Sequence, residues 1–255
     1  MKEKKNRKIS SVLYAVFIFF VRIFYPKFQI VGKEILSEEP MIIVGNHSQM
    51  HGPIASELYF PKNTYIWCAG QMMNFKEVPS YAYSDFWSQK SWFSRPYYKL
   101  LSYLIAPFSV MIFNNARTIP VRRDLRIVST FRTSMAHLAN GDHVIIFPEH
   151  DQKHNNIVYD FEDHFIDLAR MYYKKSGCEV SFVPLYIAPN LRKMYLGKPI
   201  KFDSTLPIEE ERGRIRDYLM NEITEMARSL PRHKVYPYRN IPKRLYPYNK
   251  TEEVK

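Results

Sequence analysis

The chain has 255 residues, 46% of them apolar and 24% charged, with a formal net charge of +12. That length suits one large domain with a full core or two small ones, and the composition excludes both a disordered chain and a polytopic membrane protein. The positive excess calls for an anionic partner: membrane lipid, a phosphorylated substrate, an acidic carrier protein or nucleic acid.

The chain opens on the basic stretch MKEKKNRK, and residues 12–21 form an unbroken apolar run. A helix over residues 10–25 has a length of roughly 24 Å, short of a ~30 Å hydrocarbon core. Its first half is like a signal peptide, but no small-residue cleavage site follows. With Tyr14, Arg22 and Tyr25 suited to the headgroup level, it reads as a membrane-seating helix inserted into one leaflet. A short spanning helix is the rival reading.

Short apolar runs then alternate with helical stretches. Residues 40–46 and 64–69 read as strands. Residues 72–114 are rich in aromatics and end in LLSYLIAPFSVMIF, apolar nearly all round, which predicts a buried helix; a second lipid-facing surface is the alternative. Residues 118–121 form a short strand. Asp124 caps a helix with Val128, Phe131, Met135 and Leu138 on one face, ended by Gly141. A strong strand covers 143–148. A further helix places Phe161, Phe165, Leu168 and Tyr172 on one face, with lysines in its last turn before Gly177. Residues 180–189 are a strand, and 194–202 a late edge strand, because Pro199 cannot donate to a ladder. After Pro207, Ile208, Ile215, Leu219, Ile223, Met226 and Leu230 recur at helical spacing.

Strands alternating with helices predict an α/β fold with a mixed, largely parallel sheet flanked by helices. Three regions follow: a basic head and membrane-associated helix at 1–29, the α/β domain at 30–230, and a basic arm rich in Pro and Tyr at 231–255. The arm carries Tyr-Pro-Tyr twice, at 236–238 and 246–248. It is expected to lie extended against the domain or the membrane, or to be loosely ordered.

In an open α/β sheet, ligands collect at the carboxyl ends of strands. Asn46 and His47 follow one strand, Arg122 and Arg123 another, and Glu149 and His150 a third. A histidine, a glutamate and two arginines so placed suit proton abstraction beside an anion. Cys68 and Cys178 supply neither a metal spacing nor a disulfide framework, and a reducing cytoplasmic setting is the default.

Four blocks occur in order: NHSQMHG (46–52), RTIPVRR (117–123), FPEHDQK (147–153) and VPLYI (183–187). Over residues 30–205 the chain resembles the glycerolipid acyltransferases, the lysophosphatidic acid acyltransferase family. That family carries Asn-His-x4-Asp, Gly-x-Ile-Phe/Pro-Val-x-Arg, Phe-Pro-Glu-Gly-x-Arg and Val-Pro-x-x-Ile. The resemblance implies that His47 takes the proton from a glycerol hydroxyl, which attacks an acyl thioester. It makes Glu149 a second residue of the catalytic site, binding the glycerol hydroxyls or shaping that pocket. It places Asn46, Arg122, Arg123, Phe147 and Pro148 around the substrate and its phosphate. It further implies acyl-coenzyme A or acyl-carrier protein as co-substrate, no bound cofactor, and a peripheral or monotopic seat on the cytoplasmic side of an anionic membrane. No nucleic-acid recognition motif is present.

The blocks also depart from the family. Gly52 stands where the orienting aspartate falls, His150 replaces a glycine, Gln152 or Lys153 replaces an arginine, and Arg117 replaces another glycine. Loss of the orienting carboxylate costs on the order of 10⁴ in rate in a well-studied triad. His51, His150, Glu57, Asp151 and Asp163 are the candidate helpers. The His47/His51 and His150/His154 spacings permit a metal, but Pro53 and the polar run after His150 favour turns, and no metal is expected. A non-catalytic lipid-binding protein of the same fold is the alternative.

Overall fold

A computed structural model describes residues 2–36, 38–88, 90–122 and 127–250, less the side chains of 2–8, 151 and 152. Its elements in chain order are α1 (Lys2–Phe24), β1 (Gln29–Val31), β2 (Met41–Gly45), α2 (His51–Tyr59), β3 (Thr64–Ala69), α3 (Val78–Ala82), α4 (Arg95–Asn115), β4 (Thr118–Val121), α5 (Ile127–Ala139), β5 (His143–Ile146), β6 (Glu149–His154), β7 (Tyr159–Phe161), α6 (Asp167–Ser176), β8 (Ser181–Ala188), β9 (Lys193–Leu196), β10 (Ile200–Lys201) and α7 (Ile208–Ser229). The chain divides into two compact units, Met1–Pro26 with Trp67–Thr130, and Lys27–Ile66 with Phe131–Lys255.

The second unit holds most of a mixed, largely parallel sheet in the order β1-β9-β8-β2-β5-β3, with β10 on β8. The strands β8, β2, β5 and β3 run parallel. Their runs are apolar without alternation because both faces are covered: Ile42, Ile43, Val44, Val144, Ile145, Phe182, Val183 and Leu185 are all fully buried. Helix α7 packs Ile215, Leu219 and Ile223 inward. Helix α6 ends on Gly177 in the left-handed conformation, where a side chain is unfavourable.

Three expectations need correction here. The stretch 194–202 is not one edge strand: β9 lies between β1 and β8, and the break at Gly197–Pro199 leaves only β10 as a short piece paired to β8. Phe161 and Phe165 are buried but precede the helix, on β7 and on a 3₁₀ turn (His164–Ile166). On α5, Val128 points outward, and the buried stripe runs through Thr130, Ser134 and Leu138. Thr130 can take a core position because its hydroxyl donates to the Pro120 carbonyl at 2.7 Å. Asp124 lies outside the described residues.

The first unit contains α1, the second half of β3, β4, α3 and α4. Met72, Val78, Ala82 and Ala106 form its small core. Helix α4 inverts the expected pattern. Its buried residues are the small ones, Ser102, Ala106 and Ser109, whereas Leu100, Tyr103, Leu104 and Phe108 are exposed. Asn115 ties α4 to α1 through Ser10 and Ser11. On α1, Val12, Val16, Phe19, Phe20, Ile23 and Phe24 are exposed. No helix among the described residues is long and apolar enough to cross a membrane.

Candidate active site

Strand register brings the first and third blocks together. Val44 pairs with Ile146 across the parallel β2–β5 ladder. His47 and Glu149 lie at equal distances beyond that pair, so both emerge at the same sheet edge. There the His47 amide donates to Glu149 Oε2 at 2.6 Å, and the Tyr159 amide donates to Oε1 at 2.8 Å. Glu149 is 6% exposed, and burial pushes its carboxyl up to about 7, against the two amides that favour the charged form.

The chain turns sharply after His47. Ser48 and Gln49 both adopt positive φ, 47° and 55°, a costly conformation for residues with a side chain. The Ser48 and Asn46 side chains secure the turn. Asn46 donates to Ser48 Oγ at 2.9 Å and to the Ile187 carbonyl at 3.1 Å, and accepts from the Ile187 amide at 2.7 Å. Its amide is thus engaged with the end of β8, where it extends the β2–β8 pairing beyond the ladder.

Residue 47 keeps some accessible surface, yet its imidazole is crowded as in an interior, and this lowers its pKa to about 4; the Gln49 backbone offsets only part of the effect. That contact does not reach hydrogen-bond geometry at Nδ1, which is buried without a partner among the described residues. Among the described residues no carboxylate bonds to the ring. Two aromatic neighbours hold it instead, Phe147 at 5.4 Å and Tyr238 at 5.5 Å, both edge-on.

Gly52 is enclosed by this turn. Its amide donates to the His47 carbonyl at 3.1 Å. A Cβ on Gly52 would stand 2.4 Å from that carbonyl oxygen and 3.2 Å from a Phe147 ring carbon. The space a motif aspartate needs is filled by backbone.

Each remaining candidate among the described residues has neighbours of its own. His51 opens α2 with its ring edge-on to Tyr236 at 5.1 Å, and burial followed by the Lys243 charge lowers its pKa. His150 Nε2 is 4.0 Å from Asp160 Oδ2 across the β6–β7 hairpin. Asp163 is 3.6 Å from Arg216. Pro148 is buried, and its carbonyl accepts from Glu162 at 3.0 Å. Arg122, in the first unit, is 3.9 Å from Glu77. Arg123 and the Asp151 side chain lie outside the described residues. Among the described residues no group of three or more His, Cys, Asp or Glu is placed to hold a metal ion.

Tyr238, Tyr236, Tyr246 and Gln49 escaped the sequence reading as site residues, although the two Tyr-Pro-Tyr segments marked their loop. The arm closes into a loop, with Lys234 bridged to Tyr248. His233 and Asn249 bond to each other through amide and side chain, and Asn249 also donates to the Ala227 carbonyl at the end of α7. His233 Nε2 lies 2.8 Å from the Tyr186 hydroxyl in the core. The loop between these anchors folds onto the His47 turn.

No family model matches the chain, and no curated protein matches it. Among solved structures, one described as the 1-acyl-sn-glycerophosphate (LPA) acyltransferase PlsC from Thermotoga maritima matches over 88% of this chain and 82% of that one, at 15% identity and a TM-score of 0.46. At that level of similarity, only the motifs and the site geometry bear on function.

Proposed function

We propose that this protein is a membrane-associated acyltransferase. It moves a fatty acyl group from an acyl thioester, carried by coenzyme A or acyl-carrier protein, to a lysophospholipid or other glycerol-type acceptor. The observation that carries this reading is the His47–Glu149 junction at the carboxyl ends of adjacent parallel strands, built by two blocks that resemble the acyltransferase motifs. His47 takes the proton of the acceptor hydroxyl as its oxygen attacks the thioester carbonyl. The tetrahedral intermediate collapses, the C–S bond breaks, and the thiolate leaves with the proton from His47. Glu149 fixes the His47 backbone, and burial keeps the imidazole neutral, the form that accepts a proton. Arg122 and Arg123 are assigned to the acceptor phosphate on their sequence position. The exposed apolar faces of α1 and α4 suit a seat in the cytoplasmic leaflet, where acyl chains enter and leave.

A second reading, a non-catalytic lipid-binding protein of this fold, is favoured by the His47 ring: Nδ1 has no partner among the described residues, and the backbone around Gly52 leaves no room for one there. An acyl-transfer assay with membranes and labelled acyl donors separates the two. The enzyme reading expects turnover that falls by about 10²–10⁴-fold in His47→Ala. Binding of lysophospholipid without turnover in the wild type supports the second reading, and full turnover in His47→Ala removes His47 from the mechanism.

A further inference from the structure

A catalytic imidazole ordinarily has a partner on its second nitrogen that fixes ring orientation. His47 has none among the described residues, yet its ring is held between Phe147 and Tyr238. We propose that the loop of residues 233–249 completes the active site, with Tyr238 as the positioning residue that holds the His47 ring where a carboxylate is missing. The inference rests on the acyltransferase reading.

Three contacts carry it, and they fall on alternate residues of one turn. Tyr238 meets His47, the Tyr246 hydroxyl lies 2.7 Å from Gln49 Nε2 and 3.0 Å from Oε1, and Tyr236 meets His51. Tyr246 also packs on Tyr236 at 5.0 Å, and Gln49 Nε2 donates to the Arg239 carbonyl at 3.3 Å. The loop is anchored at both ends, so its tip is placed by the core. A circuit closes beneath it: Tyr238 rests on Tyr159 at 6.2 Å, the Tyr159 amide holds Glu149, and Glu149 holds the His47 amide. Backbone and ring of His47 are thereby fixed from one network. Edge-on ring contacts set the plane of the imidazole but supply no negative charge. Tyr238 therefore orients the base without strengthening it, which fits an imidazole that burial keeps neutral.

The test uses the full chain with ¹³C- and ¹⁵N-labelled histidine, followed by NMR, beside the acyl-transfer assay. Tyr238→Phe keeps the ring contact and is expected to hold the His47 resonances and their titration closer to wild type than Tyr238→Ala does. Tyr238→Ala is expected to shift and broaden those resonances, to raise the midpoint from about 4 toward 6.5, and to lower kcat about tenfold with KM unchanged. The NMR result stands without turnover, so it fails or succeeds separately from the acyltransferase reading. Tyr246→Phe covers the case in which Tyr238→Ala does not fold: loss of the hydroxyl latch on Gln49 is expected to move the His47 signals in the same direction by less. Unchanged His47 resonances and midpoint in a folded Tyr238→Ala, or in Tyr246→Phe should the former not fold, overturn the proposal, as does a Tyr238→Phe variant as impaired as Tyr238→Ala.

Discussion

The His47 amide and the Glu149 carboxylate meet at 2.6 Å, and this bond joins two strand ends 102 residues apart in sequence. Both oxygens of Glu149 are committed to backbone amides, so the carboxylate organises the turn and does not reach the imidazole. A residue that the motif resemblance assigns to substrate hydroxyls is first of all a buried clamp.

Replacement of Glu149 by Gln removes one of its two acceptors and leaves a buried amide unpaired. A loss of about 1–3 kcal/mol is expected in urea unfolding at pH 5. The deficit depends on pH with a definite sign. Burial raises the folded carboxyl from 4.5 to about 7, so the wild type is favoured below 4.5 and loses that advantage as pH rises through 7. The Gln variant does not titrate, so its deficit must shrink between pH 5 and pH 8. A deficit that is constant or grows over this range contradicts the assignment.

His47 has the opposite sign. Its folded pKa is lowered from 6.5 to about 4, so the unfolded chain binds more protons in that interval and wild-type stability falls as pH drops from 6.5 to 4. Relative to wild type, His47→Asn should be more stable at pH 4.5 than at pH 7.5. Thermal unfolding of both proteins at the two pH values measures this, and equal differences would show that the ring titrates as it does in solution.

Restoring the motif aspartate at Gly52 is the intuitive repair, and the geometry predicts that it fails. The new Cβ would meet the His47 carbonyl oxygen at 2.4 Å, on a residue whose amide Glu149 holds in place. Gly52→Asp and Gly52→Ala should each destabilise by about 1–3 kcal/mol or more, with no gain in acyl transfer. An unchanged melting temperature with raised turnover in Gly52→Asp would mean that the turn opens readily and that the helper is simply absent.

How far the sequence could be read follows from what kind of force sets each feature. Continuous apolar runs such as Ile42–Val44 and Val144–Ile146 announce buried parallel strands, because burial on both faces is visible in composition. Ladder register then places Asn46, His47 and Glu149 together, and the order of the motif blocks pointed there. What composition hides is which large residue faces inward when small or hydroxylic ones can pack. Thr130 and Ser134 take the core on α5, and Ser102, Ala106 and Ser109 on α4, while Val128 and Phe108 face out. The contacts of the 233–249 loop were hidden for a different reason. Tyr238 reaches His47 across 191 positions through loop geometry with no periodicity. The paired Tyr-Pro-Tyr segments marked the loop but not where it lands.

Asn46 offers a separate structural test. It is 1% exposed and occupies both backbone groups of Ile187. Asn46→Ala leaves the Ile187 amide buried and unpaired and its carbonyl with the Ser48 hydroxyl alone, and a cost of about 1–3 kcal/mol is expected, with the His47 turn loosened. Asn46→Asp keeps the acceptor for the Ile187 amide but sets a carboxylate against the Ile187 carbonyl, so it should be no better at neutral pH. Chemical denaturation of both variants checks the ranking, and a near-neutral Asn46→Ala would remove the clamp from the account.

The first unit turns apolar helix faces outward. Helix α1 exposes Phe19, Phe20, Ile23 and Phe24, and α4 exposes Leu100, Leu104 and Phe108. Large contiguous apolar surface on a basic chain marks a membrane or partner site. The proposed lipid seat requires a hydrophobic part that salt leaves intact and an electrostatic part that salt weakens. Co-sedimentation with vesicles should therefore rise with the fraction of anionic lipid and fall partly, not wholly, as salt increases. Phe19→Ser combined with Phe20→Ser should lower binding at every lipid composition and leave the melting temperature nearly unchanged, because both rings are already exposed. Phe108→Ser should act in the same direction from the other helix. Binding that high salt abolishes completely, or that ignores these substitutions, would assign the interaction to charge alone and leave the apolar faces to a protein partner.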